Sequence, residues 1–335
     1  MDNQNLTSIK FSDNAKIILK NRYLSENETP EERMWEMCRY VASKEISSPT
    51  SLPIKYWTER FYNKLIAPLK FLPNSPTIKN AGVEGKRGLQ ACNVISPSDT
   101  LESIYDTVKE WALTEKYGAG IGAYFGDIRA KGSPVNSVHG TALGPVAVME
   151  ILSKSSDKIT QAAFREGAHM AVLPINHKDI IEFIHCKDNC KLPNDILYNF
   201  NISVQMPDWF MKIIEEKGIY TSSIEYEKYT TIWNEICESA WKTGDPGLFF
   251  IDRIRETEPN PQIGLIQSPN PCGEQPLENY NSCNLGSINL GKFVKDSNYN
   301  NPTSTLDLLR YHSNNKKEID WEDLKETIHL AVRFL

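Results

Sequence analysis

The distribution of apolar and polar positions divides the chain into a helical beginning and a mixed remainder. Ser12 precedes a periodic stretch that runs to about Leu24. Thr29-Pro30 with Glu32 reads as a capping box that opens a second helix, carrying Met34, Met37, Cys38 and Val41 on its inner face. A third helix follows Pro53. From Phe71 the pattern changes to short apolar segments separated by Gly, Pro and Asn, alternating with longer helical periods at 100–116, 145–159 and 229–241. That alternation predicts an α/β fold. Residues 169–175 (HMAVLPI) and 199–205 (NFNISVQ) read as buried strands, since neither alternates cleanly enough for a solvent-facing edge. Residues 295–318, rich in Asn, Ser and Lys, predict a surface excursion. A last helix from Trp321 to Leu335, capped by Asp320, is predicted to bury Leu324, Ile328, Val332 and Leu335. It has no Gly or Pro terminator and reads as interrupted. The expected division is a helical region at 1–70 and an α/β region at 71–335.

Composition narrows the partners. The 335 residues are 40% hydrophobic, enough for a substantial core, and 37 basic against 43 acidic side chains leave a formal charge of −6. No basic excess marks a binder of nucleic acid or anionic membrane, so any phosphate has to be held locally. No apolar run has membrane-spanning length and the first fifteen residues lack a signal-peptide apolar segment, which predicts a cytoplasmic protein. Seven cysteines, at 38, 92, 186, 190, 237, 272 and 283, do not read as a secreted disulfide framework. Cys38 and Cys237 fall on apolar faces of predicted helices, where a structural role is expected. His185, Cys186 and Cys190 are zinc-ligand types, but no second pair of suitable spacing follows, so no metal site is expected. His139, His169, His177, His312 and His329 show no pairing that suggests ligation.

Candidate chemistry concentrates at 270–277 (NPCGEQPL) and 282–290 (SCNLGSINL). In an extended backbone Asn270, Cys272 and Glu274 project to one side, presenting an amide, a thiol and a carboxyl together. Pro271 and Gly273 favour a loop that approaches another group closely. A thiol beside an amide and a carboxyl is a reactive constellation, although a cysteine near a turn taken alone is most often a packing residue. The run Gly118-Ala119-Gly120-Ile121-Gly122 is not a dinucleotide fingerprint, because its third-glycine spacing is wrong and a helix precedes it. It is expected to let backbone pass close to the interior. Asp99, at the start of the helix at 100–116, reads by itself as an N-cap, and Arg129 as a surface cation.

NPCGEQPL followed by SCNLGSINL resembles the finger-loop signature of ribonucleotide reductase large subunits. Residues 71–82 (FLPNSPTIKNAG), Ala91-Cys92, the Ser98-to-Ile104 segment, 118–135 (GAGIGAYFGDIRAKGSPV) and the stretch around Arg165-Glu166-Gly167-Ala168 resemble that family in the same order. The resemblance implies a ten-stranded α/β barrel of two five-stranded halves with the finger loop threading its centre. This chain would supply the helical start, the first half and the finger loop at 270–283. Cys272 would carry a thiyl radical that removes the 3′-hydrogen of a ribonucleotide, with Glu274 as general base and Asn270 orienting the same ribose edge. Cys92 and Cys283 would donate reducing equivalents and end as a disulfide.

Ser75 and Ala91 match positions that contact substrate, the latter through its backbone. Asp99, Leu101 and Arg129 match a deoxynucleotide effector site, and 185–190 the start of the loop that relays effector identity. The NPCGE form with SCNLGSINL most resembles the adenosylcobalamin-dependent class; residues 92–135 also resemble the di-iron-dependent class, whose radical comes from a small subunit. Implied partners are a ribonucleoside di- or triphosphate, a dNTP effector, a thioredoxin-like reductant and a second copy of the chain in a homodimer. A C-terminal half is also implied, whose phosphate-binding loop nothing in residues 284–335 matches. Rival readings are a glycyl-radical enzyme on the same barrel and an inactive nucleotide-binding fragment.

Overall fold

A computed structural model of the chain describes residues 7–45, 53–85, 88–135, 139–160, 167–215, 224–296 and 317–335. Arg165, Glu166, His312 and most of the expected excursion at 295–318 lie outside the described residues. Two compact units form, one of Met1–Leu89 with Asn284–Leu335, the other of Gln90–Cys283.

The first unit begins with helices whose ends are set locally. Ser12 caps α1 (Asp13–Arg22), its hydroxyl accepting from the Ala15 N–H at 3.2 Å. The expected capping box opens α2 (Pro30–Ala42): the Thr29 hydroxyl accepts from the Glu32 N–H at 3.2 Å, and the Glu32 carboxylate accepts from the Thr29 N–H at 2.9 Å. Met34, Met37 and Cys38 are buried as the periodicity predicts, while Val41 is half-buried and Ala42 takes the inward position. Helix α3 (Ile54–Phe61) runs into a π-turn and then β1 (Phe71–Pro73) and α4 (Ser75–Asn80), capped by Asn74.

The second unit contains the central sheet. In chain order its elements are β2 (Cys92–Val94), α5 (Leu101–Glu115), β3 (Gly120–Tyr124), the short pair β4 (Pro134–Val135) and β5 (Gly140–Thr141), α6 (Pro145–Thr160), β6 (His169–Pro174), α7 (Ile180–His185) and β7 (Phe200–Gln205). Then come α8 (Asp208–Glu215), α9 (Ile224–Thr243), β8 (Gly247–Phe249), α10 (Ile251–Glu256), β9 (Ile266–Pro269), β10 (Pro276–Glu278) and β11 (Ser282–Cys283). The sheet order is β11-β2-β3-β6-β7-β8, with β2, β3, β6, β7 and β8 mutually parallel and β11 antiparallel on the β2 edge. Five parallel strands joined through helices are the half-barrel that the sequence implies.

Both faces of this sheet are covered, which is why the predicted strands lack a polar edge pattern. Ile121, Ala123, Ala171, Leu173, Phe200, Ile202 and Val204 face a core shared with Trp111, Met149, Leu152, Phe183 and Phe210. Tyr124, Met170, Val172 and Phe249 belong to a second cluster with Ile266 at the start of β9. Inside the first core Glu115 and His169 form a fully buried pair, with Nε2 of His169 2.5 Å from a carboxylate oxygen that also accepts from the Ser156 hydroxyl at 2.8 Å. The imidazole packs against both Trp111 and Phe200, with ring centroids 4.9 Å away, and those two rings are 5.9 Å from each other, so the three form a triangular aromatic cluster.

The chain then returns to the first unit. Strand β12 (Gly286–Ile288) pairs antiparallel with β1, β13 (Val294–Asp296) pairs with β14 (Lys317–Ile319), and α11 (Trp321–Phe334) follows. Asp320 caps α11 as expected, accepting from the Asp323 N–H at 3.2 Å. The predicted inner face does not hold. Leu324 is buried, but Ile328, Val332 and Leu335 are exposed, and the inward residues are Thr327, Leu330, Ala331 and Phe334. Phe334 meets Phe61 and Phe71 edge-on at 5.2 and 5.7 Å, and Lys70 holds Asp323 at 2.5 Å. An aromatic pair contributes about 0.5–1.5 kcal/mol beyond its buried area, so this triplet and the ion pair set the rotation of the helix.

Candidate active site

The NPCGEQPL segment is the tip of the β9–β10 hairpin. Pro276 pairs with Pro269, and the chain reverses between them through a turn in which the Gly273 N–H donates to the Asn270 carbonyl at 3.0 Å. Gly273 has φ +83°, a conformation open to glycine and strained for other residues. This turn replaces the extended backbone on which Asn270, Cys272 and Glu274 were expected to share one side. Asn270 is fully buried and Cys272 and Glu274 are exposed.

The buried Asn270 side chain ties the loop in two directions. Its Oδ1 accepts from the Gln275 N–H at 3.0 Å, closing the turn, and its Nδ2 donates to Sγ of Cys92 at 3.2 Å. Cys92 lies directly opposite Cys283 in the β2–β11 register. Cross-strand neighbours of this kind fall within the Cα separation that a disulfide spans. All seven cysteines are thiols. The Cys283 thiol is held far above the ordinary cysteine range by its hydrogen bond to Cys92, by burial, and by negative charge on Cys92 and Glu274. The Asn270 amide and two thiols from both ends of this unit thus come together beneath the turn that carries Cys272, and the exposed Glu274 on that turn is near enough for its charge to act on Cys283.

The glycine run explains how the hairpin comes so close. A Cβ on Gly120 would lie 2.7 Å from Cγ of Pro271, and one on Gly122 1.9 Å from the Pro269 carbonyl oxygen. β3 is therefore a trough in which the hairpin rests, the close backbone passage expected of that run.

Of the remaining expected residues, Ala91 is buried at the entry to β2 with its carbonyl accepting from the Gly120 N–H at 2.8 Å. Ser75 belongs to the other unit, where its hydroxyl is 2.9 Å from that of Tyr23. Asp99 is not the N-cap. Thr100 caps α5, accepting from the Ser103 N–H at 3.1 Å, and the Asp99 carboxylate instead accepts from the backbone N–H and Nε of Arg129 at 3.1 and 2.6 Å. Leu101, the first helical residue, is 67% exposed beside them, so the three expected effector residues do gather at one helix start.

At 185–190 the side chains diverge. His185 bonds Asp188 at 2.9 Å and Glu235 at 3.0 Å, Cys190 donates to the Ile196 carbonyl at 2.7 Å, and burial pushes the Cys186 thiol up to about 12. Among the described residues no group of three His, Cys, Asp or Glu side chains is placed to hold a metal ion. Cys38 is buried as expected, whereas Cys237 is exposed because Ile236 and Ser239 take the inward positions of α9. Sequence reasoning missed Asn201 and Gln205 on β7, whose amides donate to the hairpin carbonyls of Pro271 at 2.8 Å and Gln267 at 3.3 Å. The signal was the polar alternation Asn201, Ser203, Gln205.

Comparison with known proteins gives the same picture. Residues 9–86 match the model of the ribonucleotide reductase all-alpha domain, and residues 90–226 and 219–335 that of the ribonucleotide reductase barrel domain. The chain is 39% identical over 320 residues to a vitamin B12-dependent ribonucleoside-diphosphate reductase of Thermoplasma acidophilum, covering 93% of this chain and 38% of that protein. It is 35% identical over 342 residues to a protein of the same name from Mycobacterium tuberculosis, covering 98% and 45%. A ribonucleoside-diphosphate reductase subunit alpha of Chlamydia pneumoniae is 25% identical over 84% of this chain and 28% of that protein. The chain therefore spans less than half the length of these curated relatives. The fold is similar to the class Id ribonucleotide reductase alpha subunit of Actinobacillus ureae, with TM-score 0.70 over 97% of this chain and 53% of that one, at 21% identity. Since both domain models match, in order and over most of its length, the chain belongs to the ribonucleotide reductase large-subunit family.

Proposed function

We propose that this chain provides the thiol half of a site that reduces ribonucleotides to 2′-deoxyribonucleotides. The observation that carries this reading is the convergence of Cys92, Cys283 and Asn270 beneath the turn that bears Cys272 and Glu274. A thiyl radical on Cys272 takes the 3′-hydrogen of the ribose, and the Glu274 carboxylate takes the 3′-hydroxyl proton. The 2′-hydroxyl leaves as water after protonation by the thiol pair. Cys92 and Cys283 supply two electrons and the hydrogen that C2′ gains and join as a disulfide, Glu274 returns its proton to the 3′-oxygen, and the Cys272 thiol returns its hydrogen to C3′. The register of Cys92 against Cys283 allows that bond without strand rearrangement. It also favours this chemistry over a glycyl-radical reaction, which uses no such pair.

The exposed thiol on a turn tip fits a cofactor that removes one hydrogen atom from it. Adenosylcobalamin, when bound, supplies that one-electron chemistry, and Cys272 is the residue of this chain that would face it. The relatives named vitamin B12-dependent favour it over a di-iron small subunit. Their names also favour a ribonucleoside diphosphate as substrate. Asp99, Leu101 and Arg129 would hold a dNTP effector, Ser75 and Ala91 would touch substrate, and a thioredoxin-like protein would reduce the disulfide. The chain would work in the cytoplasm as a homodimer with a C-terminal half that completes the barrel; among the described residues no helix is long and apolar enough to cross a membrane.

The test is reduction by the chain mixed with a C-terminal half, with adenosylcobalamin and effector. Cys272→Ser is expected to abolish turnover and the cobalamin-dependent radical signal while leaving effector affinity unchanged. Substantial turnover by that variant, or a requirement for iron and a small subunit, would reject the corresponding part of the proposal.

A further inference from the structure

We infer that Asn201 is a positioning residue that fixes the direction of Cys272; the inference rests on the reading of Cys272 as the reactive thiol. Asn201 and Met170 are register partners on the parallel strands β7 and β6. Each reaches one of the two residues that flank Cys272. The Asn201 amide donates to the Pro271 carbonyl at 2.8 Å, and Cε of Met170 stands 3.9 Å from where a Cβ on Gly273 would be. On the opposite side Asn270 anchors the same turn to Cys92 at 3.2 Å, and Gly120 leaves room for the Pro271 ring.

The turn needs such a hold. The peptide plane between Pro271 and Cys272 carries the Pro271 carbonyl and the Cys272 N–H, and its carbonyl end is the one that Asn201 grips. Rotation of that plane swings the Cys272 side chain. Asn201 can fix the plane because its own strand is held, paired with β6 at Asn201 itself and with β8 from Ser203 onward. Gln205, four residues along the same face, holds the Gln267 carbonyl at 3.3 Å and steadies the ascending strand of the hairpin. A side chain more than 1 Å from its productive position loses orders of magnitude in rate, so a single amide at this point has leverage on catalysis without touching substrate.

Hydrogen–deuterium exchange of the full chain, read by mass spectrometry on the peptide spanning 270–275, tests this without requiring turnover. The amides of Gly273 and Gln275 report the turn directly, since both donate to Asn270. Asn201→Leu is expected to raise their exchange about fivefold, the rate equivalent of one neutral hydrogen bond, with the thermal midpoint unchanged. Asn201→Asp, which sets a carboxylate against the Pro271 carbonyl, is expected to do at least as much. Ser203→Ala, on the same strand face, should leave the peptide unchanged. Wild-type exchange in both Asn201 variants, or an equal rise throughout β6 and β7, would overturn the inference. Retained turnover in Cys272→Ser would instead remove the radical reading and leave this exchange result standing.

Discussion

Replacing Gly122 by alanine tests the seating of the hairpin more sharply than any change on the hairpin itself. The added Cβ would lie 1.9 Å from the Pro269 carbonyl oxygen and 3.0 Å from its carbonyl carbon. A carbon–oxygen contact needs about 3.3 Å, so one backbone has to retreat by about 1.4 Å. β3 is hydrogen-bonded between β2 and β6, so the hairpin is the part that moves. Overpacking of this kind costs about 1–3 kcal/mol. The better strand entropy of alanine offsets about 0.5–1 kcal/mol of that, leaving a net loss of about 0.5–2 kcal/mol. The displacement reaches Asn270 next in sequence, where the 3.2 Å bond to Cys92 would stretch beyond hydrogen-bond range. Misplacement on that scale costs about 10²-fold in rate. Urea unfolding of the chain and turnover after addition of a C-terminal half measure the two effects separately. Gly118→Ala is the control: φ is +86° there and nothing lies within 4 Å of the added carbon, so only backbone strain of about 1–2 kcal/mol is expected, with turnover kept. Wild-type stability and turnover in Gly122→Ala would refute the hairpin-in-trough arrangement.

Two other outcomes are expected. Glu115→Leu strands the buried imidazole of His169 and removes one acceptor from the Ser156 hydroxyl, and should lower unfolding free energy by about 3 kcal/mol, while the double variant with His169→Leu costs less than the sum of the single changes. Additive losses in urea titrations would show that the pair is not coupled. Cys283 is short of thiolate because its neighbours raise its proton affinity, so Cys92→Ser and Glu274→Gln should each move its iodoacetamide labelling curve to lower pH. Unmoved curves in both variants would separate Cys283 from those groups.

Features legible before folding lie within a few residues of one another or in a motif. The Thr29–Glu32 capping box, the Ser12 and Asp320 caps, and the helix at 101–115 were legible because backbone donors at helix ends are satisfied by near neighbours. The finger-loop signature and the order of the other segments carried the family. The rest depends on how distant segments pack. Asn270 and Cys92 stand 178 positions apart and Glu115 and His169 54 apart, so their contacts depend on which strand and helix lie side by side. Thr100 rather than Asp99 caps α5 because the Asp99 carboxylate finds Arg129 across the loop, and α11 turns Val332 outward because Phe334 finds Phe61 and Phe71. Local preference fixes where an element starts; the side of it that faces a partner is set by contacts that exist only once the chain has closed.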